Sequence, residues 1–360
     1  MRFDDSNRNA MSRGRRSDMP TGVATIVDVA READVSTATV SRVLNGTSGV
    51  SADRAGRVRD AAERLGYVPC GSARALRRQQ ATVWAAIVPD IANPFFTALV
   101  RGIEDVARVR NHRLVLCNSD EDLEREASYL DIVIAERMAG VVIAVASNRD
   151  SSLAPLVERG VPTVAVDRRP AGSRLDSVVV DNRSGAAEAV THLIASGCRR
   201  IACISGPRRV STSTERLDGY RDALVAHGFP VDRALVRRAD FKEDGGYRAT
   251  RSLFESGAPP DALFIANNPM AVGALRALRE LDLAVPRDVA LVAFDDSPWT
   301  TLTTPELTVV AQPAYEIGRV AAELLATSSD ARPARTIVLS PTLVVRASST
   351  RTPVESRRRA

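Results

Sequence analysis

From Thr82 onward, short apolar runs alternate with amphipathic helical stretches, and this alternation most constrains what the chain can fold into. Stretches 83–88, 114–117, 141–145, 162–166 and 178–181 read as strands. Stretches 94–110, 123–137 and 153–159 read as helices, with Phe95, Leu99, Ile103 and Val106 on one face. The pattern restarts near Asn182 with helix 186–196, strand 201–204, helices 216–227 and 246–256, strand 262–265, helix 271–281 and strand 289–294. Such alternation calls for parallel sheets covered by helices. The run is too long for one such sheet, so two α/β subdomains with a cleft between them are expected over 81–347.

The first 80 residues follow another rule. At 25–46, Thr-Ile-Val-Asp-Val-Ala-Arg-Glu-Ala-Asp-Val-Ser-Thr-Ala-Thr-Val-Ser-Arg-Val-Leu-Asn-Gly reads as two short helices joined by a tight turn. Thr25 and Asp28 are spaced to cap the first helix. Asp34 suits the turn because Asp tolerates the left-handed backbone. Ser36 suits an N-cap, and Val35 and Val40 suit a hydrophobic staple. Val40, Val43 and Leu44 should face inward, leaving Thr37, Ala38, Ser41, Arg42 and Asn45 outward. Short polar groups plus one long cation fit a helix entering a DNA major groove. An ordinary surface hairpin is the competing reading. A third helix follows, capped by Ser51, lined by Val58, Ala61, Ala62 and Leu65 and ended by Gly66. The domain spans 23–68, after an N-terminal extension over 1–22 expected to be disordered.

Charge supports the division. Residues 1–80 hold 14 Arg against 9 Asp and Glu, so the whole surplus of +5 lies there and the remainder is balanced. A basic head on a neutral body is the footprint of a nucleic-acid reader, although a solvated basic surface would look the same. The extension is polar, with no apolar run resembling a secretory signal, and no stretch is long and apolar enough to span a membrane. Cys70, Cys117, Cys198 and Cys203 lack metal-ligand spacing and fit a reducing cytoplasm. His112, His192 and His227 are scattered, and no phosphate loop, dinucleotide glycine motif or Gly-x-Ser-x-Gly is present. No enzyme, metal or cofactor is expected. A secreted solute-binding protein would share the core, but it would carry a signal peptide and lack the head.

The stretches Thr25–Ala30 and Val35–Gly46, with Val50-Ser51, Leu65-Gly66-Tyr67-Val68-Pro69 and Ala73-Arg74-Ala75-Leu76, closely resemble the lactose-repressor family of bacterial transcription regulators. The resemblance extends to about Val345. It implies an all-α helix-turn-helix head on a periplasmic-binding-protein-like α/β core with parallel sheets, the chain crossing between subdomains near 182, 311 and 340. It implies a cytoplasmic homodimer that binds operator DNA and a small-molecule effector, a sugar, polyol or nucleoside or purine. Carried over by position, Thr25, Ser36, Thr37, Ala38, Thr39, Ser41, Arg42 and Asn45 would contact DNA. A hinge helix and linker over 69–80 would add Ser72, Ala73, Arg74 and a minor-groove wedge at Leu76. Two departures are Asp34, where the family usually has Gly or Asn, and Cys70, where it usually has Asn.

Ligands of α/β sheets bind beyond the carboxyl ends of strands. With the family match, this rule singles out Asn93, Phe95, Phe96, Asp167, Arg168, Arg216, Phe241, Asn267, Asn268 and Asp295 as effector residues. Core packing for the phenylalanines and a surface ion pair for Arg216 are the competing readings. The family usually has Asn-Asp where this chain has Asn267-Asn268, so an altered effector preference is expected. The stretch 348–360 is expected to be a loose polar tail.

Overall fold

The structure, a computed structural model, describes residues 24–44, 49–67, 82–172, 174–255, 257–328 and 333–350. Two compact units divide at Gln79–Gln80.

In the first unit α1 (Ile26–Glu32), α2 (Thr37–Leu44) and α3 (Ala52–Arg64) enclose a small core of Val29, Ala33, Val40, Val58 and Ala61. Thr25 and Asp28 form the expected capping box, the Thr25 backbone N donating to Asp28 Oδ2 at 2.9 Å. Asp34 takes φ 51°, turning the chain between α1 and α2. Ser36 Oγ accepts from the Thr39 N–H at 3.2 Å. Two expectations need correction. Ser41 is buried, not outward. It lies about 100° round the helix from Val40, at the flank of the apolar arc, and its side chain is small enough to be covered there. Ser51 sits at the N-cap of α3 but makes no side-chain capping bond.

The second unit holds two six-stranded sheets. The first subdomain contains β1 (Val83–Val88), α4 (Pro94–Val109), β2 (Arg113–Asn118), α5 (Leu123–Ala135), β3 (Gly140–Ile143), α6 (Ala154–Glu158), β4 (Thr163–Val166) and β5 (Asp176–Val180). The second contains α7 (Asn182–Ala195), β6 (Ile201–Ser205), α8 (Ser211–Ala226), β7 (Val236–Arg238), α9 (Glu243–Phe254), β8 (Ala262–Ile265), α10 (Asn268–Glu280), β9 (Ala290–Phe294) and β10 (Thr308–Ala311). The chain then returns, packing α11 (Ala314–Ala326) on α4 and pairing β11 (Thr336–Leu339) with β5. It crosses again to pair β12 (Thr342–Val344) with β10. The strand orders are β11-β5-β4-β3-β1-β2 and β12-β10-β9-β8-β6-β7, all parallel except β12 against β10.

Several helices start earlier than the apolar periodicity indicates, because their first turns are polar and capped. Asp181 accepts from Ser184 N to open α7, and Asn267 accepts from Met270 N to open α10. The loose tail is also corrected at its start. Ser348 and Ser349 are buried, Ser348 Oγ donating to the Leu291 carbonyl at 2.7 Å. Ser349 Oγ bridges His192 Nε2 at 2.8 Å and Thr308 Oγ1 at 2.6 Å. These bonds hold short polar residues that composition alone assigns to solvent.

Candidate functional site

The carboxyl ends of the strands meet in a cleft between the subdomains. Asp167 follows β4 and Asp295 follows β9, the third strand of each sheet. Both have left-handed backbones, with φ 61° and 74°. Each anchors its N–H on the next strand, Asp167 on the Val178 carbonyl and Asp295 on the Val310 carbonyl, both at 3.0 Å. Backbone strain at matched positions aims one carboxylate from each subdomain into the cleft; such strain concentrates at ligand clamps.

Arg216, on α8, lies between them. Its Nε donates to Asn182 Oδ1 at 2.8 Å, Nη1 donates to the Ala266 carbonyl at 2.6 Å, and the guanidinium carbon lies 3.9 Å from the Phe294 ring centroid. It is buried, which sets aside the surface-ion-pair reading. Asn93 accepts from Phe95 N at 3.1 Å and caps α4, placing Phe95 and Phe96 at its first turn with their rings edge to face. Both phenylalanines belong to the core cluster and also line the cleft, so core packing does not remove them from it. Phe241, with φ 64°, lies against Gly206, where any Cβ would strike its ring. Asn267 fixes the Phe241 carbonyl at 2.9 Å.

Burial pushes the Asp167 carboxyl up to about 6, against the pull of Arg168 and Arg216. Burial also raises Asp295, opposed by Arg216 and by the hydrogen bond from Gln312 Nε2. The same loss of water lowers Arg216. Arg168 is turned to Glu121, donating to both its carboxylate oxygens at 2.7 and 2.8 Å. Its Nε lies 3.3 Å from Asp167 Oδ2 without hydrogen-bond geometry. Arg168 Nε and Gln312 Oε1 are buried at the cleft without partners among the described residues.

Of the effector residues singled out from sequence, all but Asn268 line the cleft. Asn268 is buried behind it, accepting from Trp299 Nε1 at 2.8 Å and donating to the Asp295 carbonyl at 3.5 Å. It is the first residue of α10, and its side chain braces the Asp295 loop. Asn268, singled out from sequence as an effector residue, therefore lies outside the cleft lining. The strand-end rule also reaches Asp90, which lines the cleft, whereas sequence reasoning missed Glu121, Thr212, Lys242 and Gln312 there. Glu121 and Gln312 follow β2 and β10, so the same rule applied to every strand would have reached them.

On the head, Ser36, Thr37, Ala38 and Arg42 are exposed and Thr39 is half-buried. Thr25 is exposed, but its hydroxyl is engaged with Asp28 at 2.6 Å. Asn45, Ser72, Ala73, Arg74 and Leu76 lie outside the described residues. Among the described residues no group of His, Cys, Asp or Glu could hold a metal ion, and no helix is long and apolar enough to cross a membrane.

The profile for bacterial regulatory proteins of the lacI family matches residues 25–70, and that for a periplasmic binding protein-like domain matches 190–349. Catabolite control protein A of Priestia megaterium is 35% identical over 302 residues, covering 84% of this chain and 91% of that protein. A solved complex of the transcriptional regulator CelR with cellobiose superposes with TM-score 0.70 at 34% identity, covering 90% of this chain and 99% of that one. The lac repressor dimer bound to operator and an anti-inducer superposes with TM-score 0.75 at 26% identity, covering 91% and 99%.

Proposed function

Since the chain belongs to the lacI family of bacterial regulatory proteins, which are DNA-binding transcription regulators and not enzymes, we propose that it is a cytoplasmic repressor that binds a palindromic operator as a homodimer and is controlled by an effector in the cleft. The observation that carries this reading is the pairing of an exposed Arg42 on a capped α2 with a buried, polar, two-subdomain cleft. One head reads half a site, so twofold symmetry calls for an inverted repeat. Ser36, Thr37, Ala38 and Arg42 face the groove, and Leu76 of each hinge wedges the central step.

The effector is uncharged and rich in hydroxyl or amino donors. Lys242, Arg168 and Arg216 face Asp90, Glu121, Asp167 and Asp295 in the cleft, with Arg168 paired to Glu121 and its Nε 3.3 Å from Asp167. A phosphate or carboxylate added there would be a further anion where carboxylates already outnumber cations, Asp167 and Asp295 being buried. Sugars, polyols and nucleosides fit, the three phenylalanines offering apolar faces. Effector and operator affinities are coupled reciprocally, typically by about 1–3 kcal/mol.

Selection of random duplexes by the full chain tests the DNA reading; a single asymmetric half-site bound as tightly as any inverted repeat would sink the dimer. Thermal-shift screening against glucose, ribose, cellobiose, cytidine and glucose 6-phosphate tests the cleft. Stabilisation by a neutral compound should vanish in Arg216→Ala while operator binding persists. Stabilisation by glucose 6-phosphate alone would overturn the charge argument.

A further inference from the structure

Lys242 is the only lysine in the chain. It follows Phe241 and stands at the N-cap of α9, where its backbone N–H donates to Asp240 Oδ1 at 3.0 Å. Its side chain leaves the second subdomain and crosses the cleft. Nζ donates to Asp90 Oδ2 at 2.8 Å and to Asp120 Oδ1 at 3.0 Å. Those carboxylates stand just beyond β1 and β2, paired neighbours in the first sheet. One ammonium thus ties the ends of two strands in one subdomain to the cleft-lining loop of the other.

Both acceptors are held from their own side. Asp90 Oδ1 accepts from Ala92 N at 3.0 Å, and Asp120 Oδ2 accepts from Arg125 Nη1 at 3.2 Å. Burial works against the Lys242 charge, but the two carboxylates outweigh it and hold its pKa above the usual lysine value. The subdomains also touch through Arg209 Nη2 and the Glu121 carbonyl at 3.1 Å, beside Asp120, and through Ser211 N and Asn148 Oδ1 at 2.6 Å. Asn148 and Ser211 line the cavity that contains the crossing residues Asp181 and Asn182, whereas Lys242 and Asp90 do not. The Lys242 contact stands apart from that crossing, and of these contacts it alone joins charged side chains across the cleft. The Lys242 side chain is 38% exposed, so water and salt compete for the contact. A weak, half-exposed ion pair is suited to repeated opening, which a buried one would resist.

We propose that Lys242 is a positioning residue that clasps the mouth of the cleft through Asp90 and Asp120, setting how tightly the two subdomains close on an effector. The proposal rests on the cleft being the effector site, but its test uses neither effector nor DNA. Hydrogen exchange read by mass spectrometry compares the full-length wild type, Lys242→Met and Lys242→Arg in low and high salt (~0.02 and ~0.5 M). Lys242→Met should speed exchange at 89–96, in the opposite subdomain, by about fivefold, the factor matching the upper worth of an exposed pair. High salt should do the same to the wild type, and Lys242→Arg should stay near wild type. A second variant attacks from the other side: Asp90→Asn with Asp120→Asn should speed exchange at 241–247. Changes confined to the substituted subdomain in both variants, or no change in either, would overturn the clasp. A ligand screen that found nothing would leave this result standing, and a failed clasp would leave the effector reading intact.

Discussion

Asp167→Asn is expected to stabilise the fold while disabling the cleft. The Asp167 carboxyl is raised from 3.8 to about 6 by burial, after the attraction of Arg168 and Arg216 has been set against it. Below about pH 4 the group is protonated in folded and unfolded chains alike and contributes nothing. Between 3.8 and about 6 the folded chain holds the proton more firmly, so stability falls as pH rises through that window. Above it the full cost stands. About two units at 1.36 kcal/mol each amount to ~3 kcal/mol. An amide keeps the shape and carries no charge, so it escapes most of that cost. Urea denaturation followed by far-UV circular dichroism at about pH 4, 5, 6 and 7.5 should show Asp167→Asn more stable by up to ~3 kcal/mol at pH 7.5, the gap closing toward pH 4. A gap that does not change with pH, or a less stable variant at pH 7.5, would refute the reasoning. The variant should also lose effector-induced stabilisation, because the strained carboxylate serves ligand binding at the expense of the fold.

Other consequences are direct. Arg42→Ala should cost roughly 1–3 kcal/mol on the selected operator and relax preference at one base pair, by quantitative gel shift; a uniform loss over unrelated duplexes would make it a phosphate contact. Ser349→Ala removes a buried hydroxyl shared by His192 and Thr308. It should lower stability by about 1–3 kcal/mol in urea melts, whereas a loose tail would show no change.

The strands of both sheets were legible where apolar runs are continuous, as in Val83–Val88 and Ala262–Ile265, because a strand buried on both faces needs no alternation. Not every such run was read, since β10 (Thr308–Ala311) is apolar and buried and was passed over, but two other missed strands lie where that signal fails. β7 is three half-buried residues, and β11 alternates exposed with half-buried positions at a sheet edge. In the site, residues at strand ends were readable from topology together with the family motif. Asn268 was not, because sequence gives the position of an amide but not the direction it faces. Its partner, Trp299, is 31 residues away and shares no motif with it. Lys242 was visible as a singular residue, but its partners Asp90 and Asp120 lie in the other subdomain, and only tertiary structure brings them together.

α11 also escaped the sequence reading, and it shows how the second subdomain hands the chain back. It arrives from β10 of the second sheet and must dock on α4 of the first subdomain before β11 can pair with β5. Its contact face is small: a Cβ on Gly318 would fall closer than 3.0 Å to the Leu99 carbonyl, and one on Gly102 would do the same to the Tyr315 carbonyl. The two glycines let the helix backbones touch, as no other residue type can. Gly246 and Gly273 do the same between α9 and α10, so close approach is a general device of these layers. At Gly318 the obstacle is backbone and cannot swing aside, so one methyl group must push α11 off α4. Ordinary overpacking costs about 1–3 kcal/mol, and Gly318→Ala should reach or exceed the top of that range. Because the contact seats the returning segment, the loss should appear as faster hydrogen exchange in both α11 and β11, together with a lower urea midpoint. An unchanged midpoint with unchanged exchange in β11 would mean that the return of the chain does not depend on this helix contact.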